Sequence, residues 1–148
     1  MWPVGVGAQG NGGVAAIVQQ TPYSIGYVEL AYAIKNKLTY GSVQNQAGNF
    51  VSATLESVAS AAAGVAQNMP DDFRVSITNP PGENAYPISS FAWLLVAAKF
   101  DGKNKLQVMR DFLRWMSTEG QKLSQDLFYV PLPEAVVTKE QAALSKIQ

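Results

Sequence analysis

Residues 5–33 read GVGAQGNGGVAAIVQQTPYSIGYVELAYA, and the parsing of this stretch decides the fold. Gly5, Gly7, Gly10, Gly12 and Gly13 allow a tight turn free of the steric penalty a Cβ brings. The run after them predicts a helix over 13–20, with Asn11 or Gly12 near its N-cap. Pro22 cannot continue that helix and biases Thr21 away from the α region. Residues 24–29, Ser-Ile-Gly-Tyr-Val-Glu, then read as a strand. A Gly-rich turn, helix, turn and strand in that order are the unit of an α/β fold.

The same alternation extends outward. Residues 2–6 read as a strand stub, and 30–38 as a short helix with Tyr32 and Leu38 as core contacts. Residues 39–45 and 49–51 predict a hairpin around Gln46-Ala47-Gly48, with Gly48 available for positive φ. Ser52 is expected to cap an Ala-rich helix over 53–67, with Glu56 as its capping-box partner and Val58, Ala62 and Val65 on its apolar face. Residues 73–78 alternate as a strand. Asn79-Pro80-Pro81-Gly82-Glu83-Asn84 is the strongest loop signal in the chain and marks a lobe boundary, there or within 85–89. Residues 90–98 read as a buried strand. Residues 103–118 read as an amphipathic helix carrying Leu106, Met109, Phe112, Leu113 and Met116 at helical spacing. A short helix over 119–127, an extended piece over 129–132 and a terminal helix over 133–146, with Pro133 suited to N1, complete the pattern.

Composition narrows the chemistry. A chain of 148 residues with 47% hydrophobic and 15% charged residues has the make-up of a folded protein with a real core. Its formal net charge of zero leaves no electrostatic footprint for nucleic acid or an anionic membrane surface. The longest apolar stretch, 91–98, is far short of the roughly 18–20 residues a membrane-spanning helix needs. The opening Met1-Trp2-Pro3 has neither the basic start nor the apolar core of a signal peptide. With no Cys and no His, thiol nucleophiles, disulfides, Ser-His-Asp triads and Cys/His zinc sites are all excluded. An acid–base enzyme would have to work with Asp, Glu, Lys or Tyr, which lowers the expectation of an enzyme. No cofactor is expected.

A Gly-rich loop opening a helix presents unpaired N–H groups with the positive end of the helix dipole behind them, a setting that suits an anion. Gly5, Gly7 and Gly10 spell G-x-G-x-x-G, and Glu29 ends the next strand about 20 residues on, as in a dinucleotide fold. The words around this match point elsewhere. Trp2-Pro3-Val4-Gly5, then Gly10-Asn11-x-Gly13-Val14-Ala15-Ala16, then Ser24-Ile25-Gly26-Tyr27-Val28-Glu29 with Ala31-Tyr32-Ala33, resemble the phosphate-binding receptor of bacterial ABC phosphate uptake systems. Tyr86-Pro87-Ile88-Ser89-Ser90-Phe91, Phe112-Leu113-Arg114-Trp115, Gly120-Gln121 and Tyr129-Val130-Pro131-Leu132-Pro133 follow that family's order too. The resemblance covers almost the whole chain, but only the C-terminal portion of the family.

The resemblance implies a two-lobed periplasmic-binding-protein fold (type II), each lobe a sheet flanked by helices, with phosphate between them. Residues 1–84 would be the second half of lobe two, 85–89 the crossover, and 90–148 the C-terminal part of lobe one. It also implies a periplasmic or extracellular setting, an ABC permease as partner, and no catalysis. In that family the direct phosphate ligands are a Ser-Gly-Thr helix start, an Arg and an Asp from the N-terminal half, and no segment here matches them. Gly10, Asn11, Gly12 and Gly13 are therefore cleft-lining candidates, because loops at the carboxyl ends of strands face the ligand crevice. Neither lobe would be complete, so sheet edges and core faces would be exposed unless a second chain or a homo-oligomer covers them. An assembly module that binds no ligand is the alternative, and a small nucleotide-binding enzyme the weaker one.

The remaining candidates have plainer explanations. Arg110 and Arg114, four apart on one helix, suit a solvated face, and Arg74 is the only other arginine. Asp71, Asp72 and Glu119 are the carboxylates an acid–base site would draw on, and Asp71 and Asp72 after Met69-Pro70 read as exposed turn acids. Phe91, Trp93, Phe112 and Trp115 are expected in the core, since no basic residues interleave them as a nucleic-acid stacking platform requires.

Overall fold

The computed structural model describes residues 4–148, so Trp2 and Pro3 of the expected strand stub lie outside the described residues. Two compact units are present, one ending at Gly41 and one running from Ser42 to Gln148.

In the first unit, α1 spans Gly10–Gln20, beginning ahead of the expected residue 13. Gly10 makes the early start possible, since its φ of +64° is one that residues with a Cβ rarely adopt. The N-cap is Gln9, not Asn11 or Gly12, and the Gly13 N–H donates to the Gln9 carbonyl at 3.3 Å to close the first turn. Thr21 ends the helix in an extended conformation, as Pro22 requires. Helix α2 spans Leu30–Lys35, shorter than expected. A Schellman-type closure stops it: Lys37 turns left-handed at φ +54°, its N–H donates to Ile34, and the Leu38 N–H donates to Ala33. Ala31 and Ala33 are its buried residues, whereas Tyr32 is exposed and is not the core contact expected. Residues 24–29 form no ladder among the described residues. They pass close to α1 at Gly26, where a Cβ would lie 2.8 Å from Val18 Cγ2 and 3.0 Å from Val14 Cγ1.

The second unit opens with the expected hairpin, trimmed to β1 (Val43–Gln44) and β2 (Phe50–Val51). The strands are antiparallel, with Val43 opposite Val51 and Gln44 opposite Phe50, and Gly48 turns at φ +87°. Helix α3 spans Leu55–Ala66 and is capped by Thr54, not Ser52. Thr54 Oγ1 accepts the Ser57 N–H at 3.2 Å and Ser57 Oγ accepts the Thr54 N–H at 3.0 Å, so Ser57, not Glu56, completes the capping box. Ser52 instead supplies a carbonyl to the Ser57 hydroxyl at 2.8 Å.

Burial alternates along 73–78, with Ile77 buried and Arg74, Ser76 and Thr78 exposed, which is the period of a strand without its ladder. Ala66, Met69 and Val136 form a core cluster against which Phe73, Val75, Phe91 and Leu132 pack. The amphipathic helix α4 spans Lys103–Ser117, within one residue of expectation. Phe112 nevertheless faces outward, unlike its neighbours Leu106, Met109, Leu113 and Met116. Two 3₁₀ turns, Glu119–Leu123 and Gln125–Leu127, stand where one short helix was expected. Helix α5 spans Glu134–Ala143 with Pro133 as its N-cap, followed by a 3₁₀ turn over Leu144–Lys146. Lys139 Nζ donates to the Met69 carbonyl and pairs with Asp71 at 3.1 Å, while Gln141 Nε2 donates to Ser117 Oγ. These contacts lash α5 to the end of α3 and the end of α4.

The strand expected to be buried over 90–98 is not buried: only Phe91 and Val96 are half-covered, and Ala92–Leu95 face solvent. Covering both faces of an apolar strand takes a layer on each side, and these residues supply one at most. Helices thus dominate, and the sheets expected of an α/β fold are reduced among the described residues to one hairpin.

Burial also raises the Glu140 carboxyl above the ordinary carboxylate range. Because its folded pKa lies above the unfolded one, its stabilising contribution is full below the unfolded pKa and lost as pH rises through the folded value. Glu140→Gln, which cannot ionise, is expected to raise the melting temperature at pH 7, with the gain vanishing near about pH 4. Thermal melts of both forms at the two pH values check this.

Candidate functional site

The four cleft-lining candidates, Gly10, Asn11, Gly12 and Gly13, are together the first turn of α1. Gln9 makes no side-chain cap and no acidic residue sits in that turn. Among the described residues the N–H groups of Gly10, Asn11 and Gly12 have no acceptor, so the positive end of an 11-residue helix is uncapped. The Asn11 side chain is turned to structure, its Oδ1 accepting the Glu29 N–H at 3.0 Å. That bond ties the helix start to the end of 24–29. A Cβ on Gly12 would meet the Tyr32 ring at 3.8 Å, and one on Gly13 would meet Ala8 Cβ at 3.2 Å. Small side groups therefore keep the turn open. Such a helix start can take a hydrogen-bond acceptor or an anion, and its chemistry stops there. The dinucleotide spacing of Gly5, Gly7 and Gly10 stands in the same loop, yet among the described residues no ladder strand leads into it or follows α1.

The arginines divide. Arg74 and Arg114 are exposed and paired with Asp72 at 2.8 Å and Asp111 at 3.0 Å. Arg110 departs from the solvated face expected of it, donating from Nη2 to the Ile147 carbonyl at 2.6 Å, which anchors the chain end to α4. Asp71 and Asp72 lie in a turn as expected, and the Asp72 carboxyl is held below its ordinary range by the Arg74 backbone N–H and guanidinium. Glu119 pairs with Lys122 at 2.6 Å on the surface. Of the aromatic set only Phe91 packs on the core. Trp93, Phe112 and Trp115 are half-exposed, against the expectation of a core position. No group of three or more Asp or Glu side chains gathers in a metal-binding arrangement among the described residues.

An open groove of ≈ 490 Å³ lies at the start of α3, beside Thr54, Glu56, Ser57 and Asn84. It does not suit an anion. The Thr54 and Ser57 hydroxyls are engaged in the capping box, and the Glu56 carboxyl is held below its ordinary range by its own backbone N–H and by Thr54.

Asn45 organises the loop that the sequence marks as a lobe boundary. Buried at the hairpin turn, it donates from Nδ2 to the carbonyls of Gly82 at 3.1 Å, Glu83 at 2.9 Å and Ala85 at 3.2 Å. Its Oδ1 accepts the N–H groups of Ala47 and Asn49, each at 3.1 Å. Asn49 Nδ2 also donates to Glu83, the Tyr86 N–H to the Ser57 carbonyl, and the Asn79 N–H to the Pro87 carbonyl. Residues 79–89 are thereby pinned to the hairpin and to α3. The signal for this node is an Asn entering a turn, a residue type that bonds backbone two positions on.

No protein-family model matches the chain. Curated relatives do. The chain is 43% identical over 141 residues to the phosphate-binding protein PstS of Xylella fastidiosa (strain Temecula1), across 95% of this chain and 39% of that protein. It is 40% identical over 141 residues to the PstS of Pasteurella multocida, across 95% of this chain and 41% of that protein. For the PstS of Methanocaldococcus jannaschii the identity is 40% over 153 residues, across 91% of this chain and 39% of that protein. The chain spans about two fifths of the length of the curated relatives it matches.

Proposed function

From a chain that is the counterpart of a C-terminal portion of the PstS phosphate-binding proteins, we propose that it is part of a phosphate receptor and not of an enzyme. In this role it serves an ABC-type phosphate importer outside the cytoplasmic membrane, handing inorganic phosphate to the permease. Residues 1–84 contribute the second half of one lobe, 85–89 the crossover and 90–148 the C-terminal part of the other. The chain supplies scaffold and cleft wall. The phosphate-ligating side chains belong to the portion of the receptor outside the aligned stretch. Gly10, Asn11, Gly12 and Gly13 line the cleft, where the uncapped N–H groups of α1 add a favourable field for an oxyanion. No helix among the described residues is long and apolar enough to cross a membrane.

The observation that carries this proposal is 43% identity sustained over 95% of the chain. It is tested by a chimera in which this chain replaces the aligned stretch of the Xylella fastidiosa relative, titrated calorimetrically with phosphate and, as control, sulfate. Saturable binding of phosphate alone is expected. A folded chimera that binds neither anion contradicts the proposal. Within the chimera, Gly12→Asp sets a carboxylate at the helix start and is expected to weaken phosphate binding about tenfold or more through like-charge repulsion. Unchanged affinity would remove the glycine turn from the cleft wall.

A further inference from the structure

Asn11 is the only asparagine of the chain with a glycine after it. A glycine has no Cβ to shield its backbone nitrogen, so that nitrogen can reach the side-chain Cγ of the residue before it. Helices ordinarily forbid such an attack, because each N–H inside them is held by a carbonyl four residues back. Gly12 escapes that hold: its N–H has no acceptor among the described residues. The Gly13 N–H, at 3.3 Å from the Gln9 carbonyl, closes the turn, and the glycines at 10, 12 and 13 make it easy to open.

The Asn11 carboxamide is set for the same reaction. Its Oδ1 accepts the Glu29 N–H at 3.0 Å, a donor aimed at the oxygen that gathers negative charge when Cγ is attacked. Its Nδ2, the leaving group, has no acceptor among the described residues. Asn45 is the opposite case, with Nδ2 tied to three carbonyls and a glutamine after it. Asn104 holds the same place in α4 that Asn11 holds in α1, two residues after an N-cap that makes no side-chain cap. The Leu106 N–H closes that turn to the Gly102 carbonyl at 3.2 Å. Lysine follows Asn104, however, and among the described residues no donor reaches its amide.

We propose that Asn11-Gly12 is a self-modification site, at which Asn11 loses its amide and leaves a carboxylate in the first turn of α1. When the turn opens, the Gly12 nitrogen gives up its proton and bonds to Asn11 Cγ. The Cγ–Nδ2 bond breaks and Nδ2 departs as ammonia, carrying away an equivalent proton. Water then opens the cyclic imide: hydroxide adds to a ring carbonyl, the ring C–N bond breaks and the nitrogen regains a proton. Opening at the side-chain carbonyl gives aspartate, and opening at the backbone carbonyl gives isoaspartate. Either product sets a negative charge beside the uncapped N–H groups, so the chain itself supplies the anion that this helix start lacks. The consequence for phosphate rests on the receptor role proposed above. There the new carboxylate repels phosphate from the cleft wall and takes up the field that favoured it.

The purified chain is held at mildly alkaline pH, folded and in guanidinium chloride, and its peptide masses and isoaspartate content are followed with time. Folded, Asn11 is expected to convert within about tenfold of its rate in denaturant, since a terminal turn opens at little cost, while Asn104 keeps its amide. Gly12→Ala is sterically allowed, its Cβ meeting the Tyr32 ring at 3.8 Å, and is expected to preserve the Asn11 amide. A folded chain whose Asn11 amide lasts as long as that of Asn104 overturns the proposal. So does an undiminished rate in Gly12→Ala, which would take the attack away from the residue 12 nitrogen. In the chimera described above, Asn11→Asp is expected to weaken phosphate binding about tenfold relative to the parent chimera. Equal affinity rejects the effect on phosphate. A parent chimera that binds no phosphate rejects only the receptor role, and the peptide masses decide the modification either way.

Discussion

Asn45→Ala is expected to destabilise the 42–148 unit by about 2–4 kcal/mol, read as a fall in the urea midpoint at unchanged slope. The Asn45 amide is buried and bonds in both directions, with two N–H groups shared among three carbonyls and one oxygen shared between two N–H groups. Truncation leaves the Ala85 carbonyl, in a residue with no solvent exposure, short of a donor, and it frees the turn at Ala47 and Asn49. The cost is that of stranded polar groups, which exceeds the net worth of the bonds themselves. Asn45→Asp keeps the shape but replaces the donors with an oxygen facing three carbonyl oxygens. It is expected to be at least as destabilising at pH 7 and to recover in part as the carboxyl protonates in acid. Equal midpoints for Asn45→Ala and the parent chain would show that 79–89 is held by other contacts.

Ile77→Ala is expected to lose about 3–4 kcal/mol by the same measurement, and Ile77→Val about 1 kcal/mol. Ile77 is the largest fully buried side chain among the described residues, at 2% exposure, in a segment that has no ladder to hold it. Its side chain holds 73–78 in place together with Phe73 and Val75, which pack on the Ala66, Met69 and Val136 cluster. Lost methylenes remove transfer free energy and leave a cavity that the surroundings close only in part. A loss below about 1 kcal/mol for Ile77→Ala would mean that the site collapses around the smaller residue.

What was legible in the sequence was local. The leucine and methionine spacing of 103–118 gave α4 to within a residue, Gly48 gave the hairpin turn, and Pro22 the end of α1. The caps were read less well, because Ser52 and Thr54 are both good capping residues, Ser the better by type, and only the backbone geometry selects Thr54. The period-2 pattern of 73–78 was right about which side chains turn inward. It could not say whether a neighbouring backbone would be present, since ladders pair residues distant in sequence. The same limit explains Trp93, Phe112 and Trp115: an apolar residue marks a face that needs covering and does not identify the cover. Arg110 was misread because its partner, the Ile147 carbonyl, is distant in sequence. Asn45 was read as the last residue of the first hairpin strand, its long-range bonds to 82–85 having no sequence signature. Unpaired N–H groups at the glycine turn were legible, but the helix start was placed at 13 with Asn11 or Gly12 as N-cap, whereas α1 begins at Gly10 with Gln9 as the cap.

The most direct measurement is a calorimetric titration of the purified chain with phosphate, with sulfate as control and light scattering on the same sample. If the chain is scaffold and cleft wall, neither anion gives saturable heat. Phosphate alone then binds once the chain is joined by the polypeptide that precedes the aligned stretch in its relatives. Saturable binding of phosphate by the chain alone would contradict this, and would put a complete ligating site within these 148 residues.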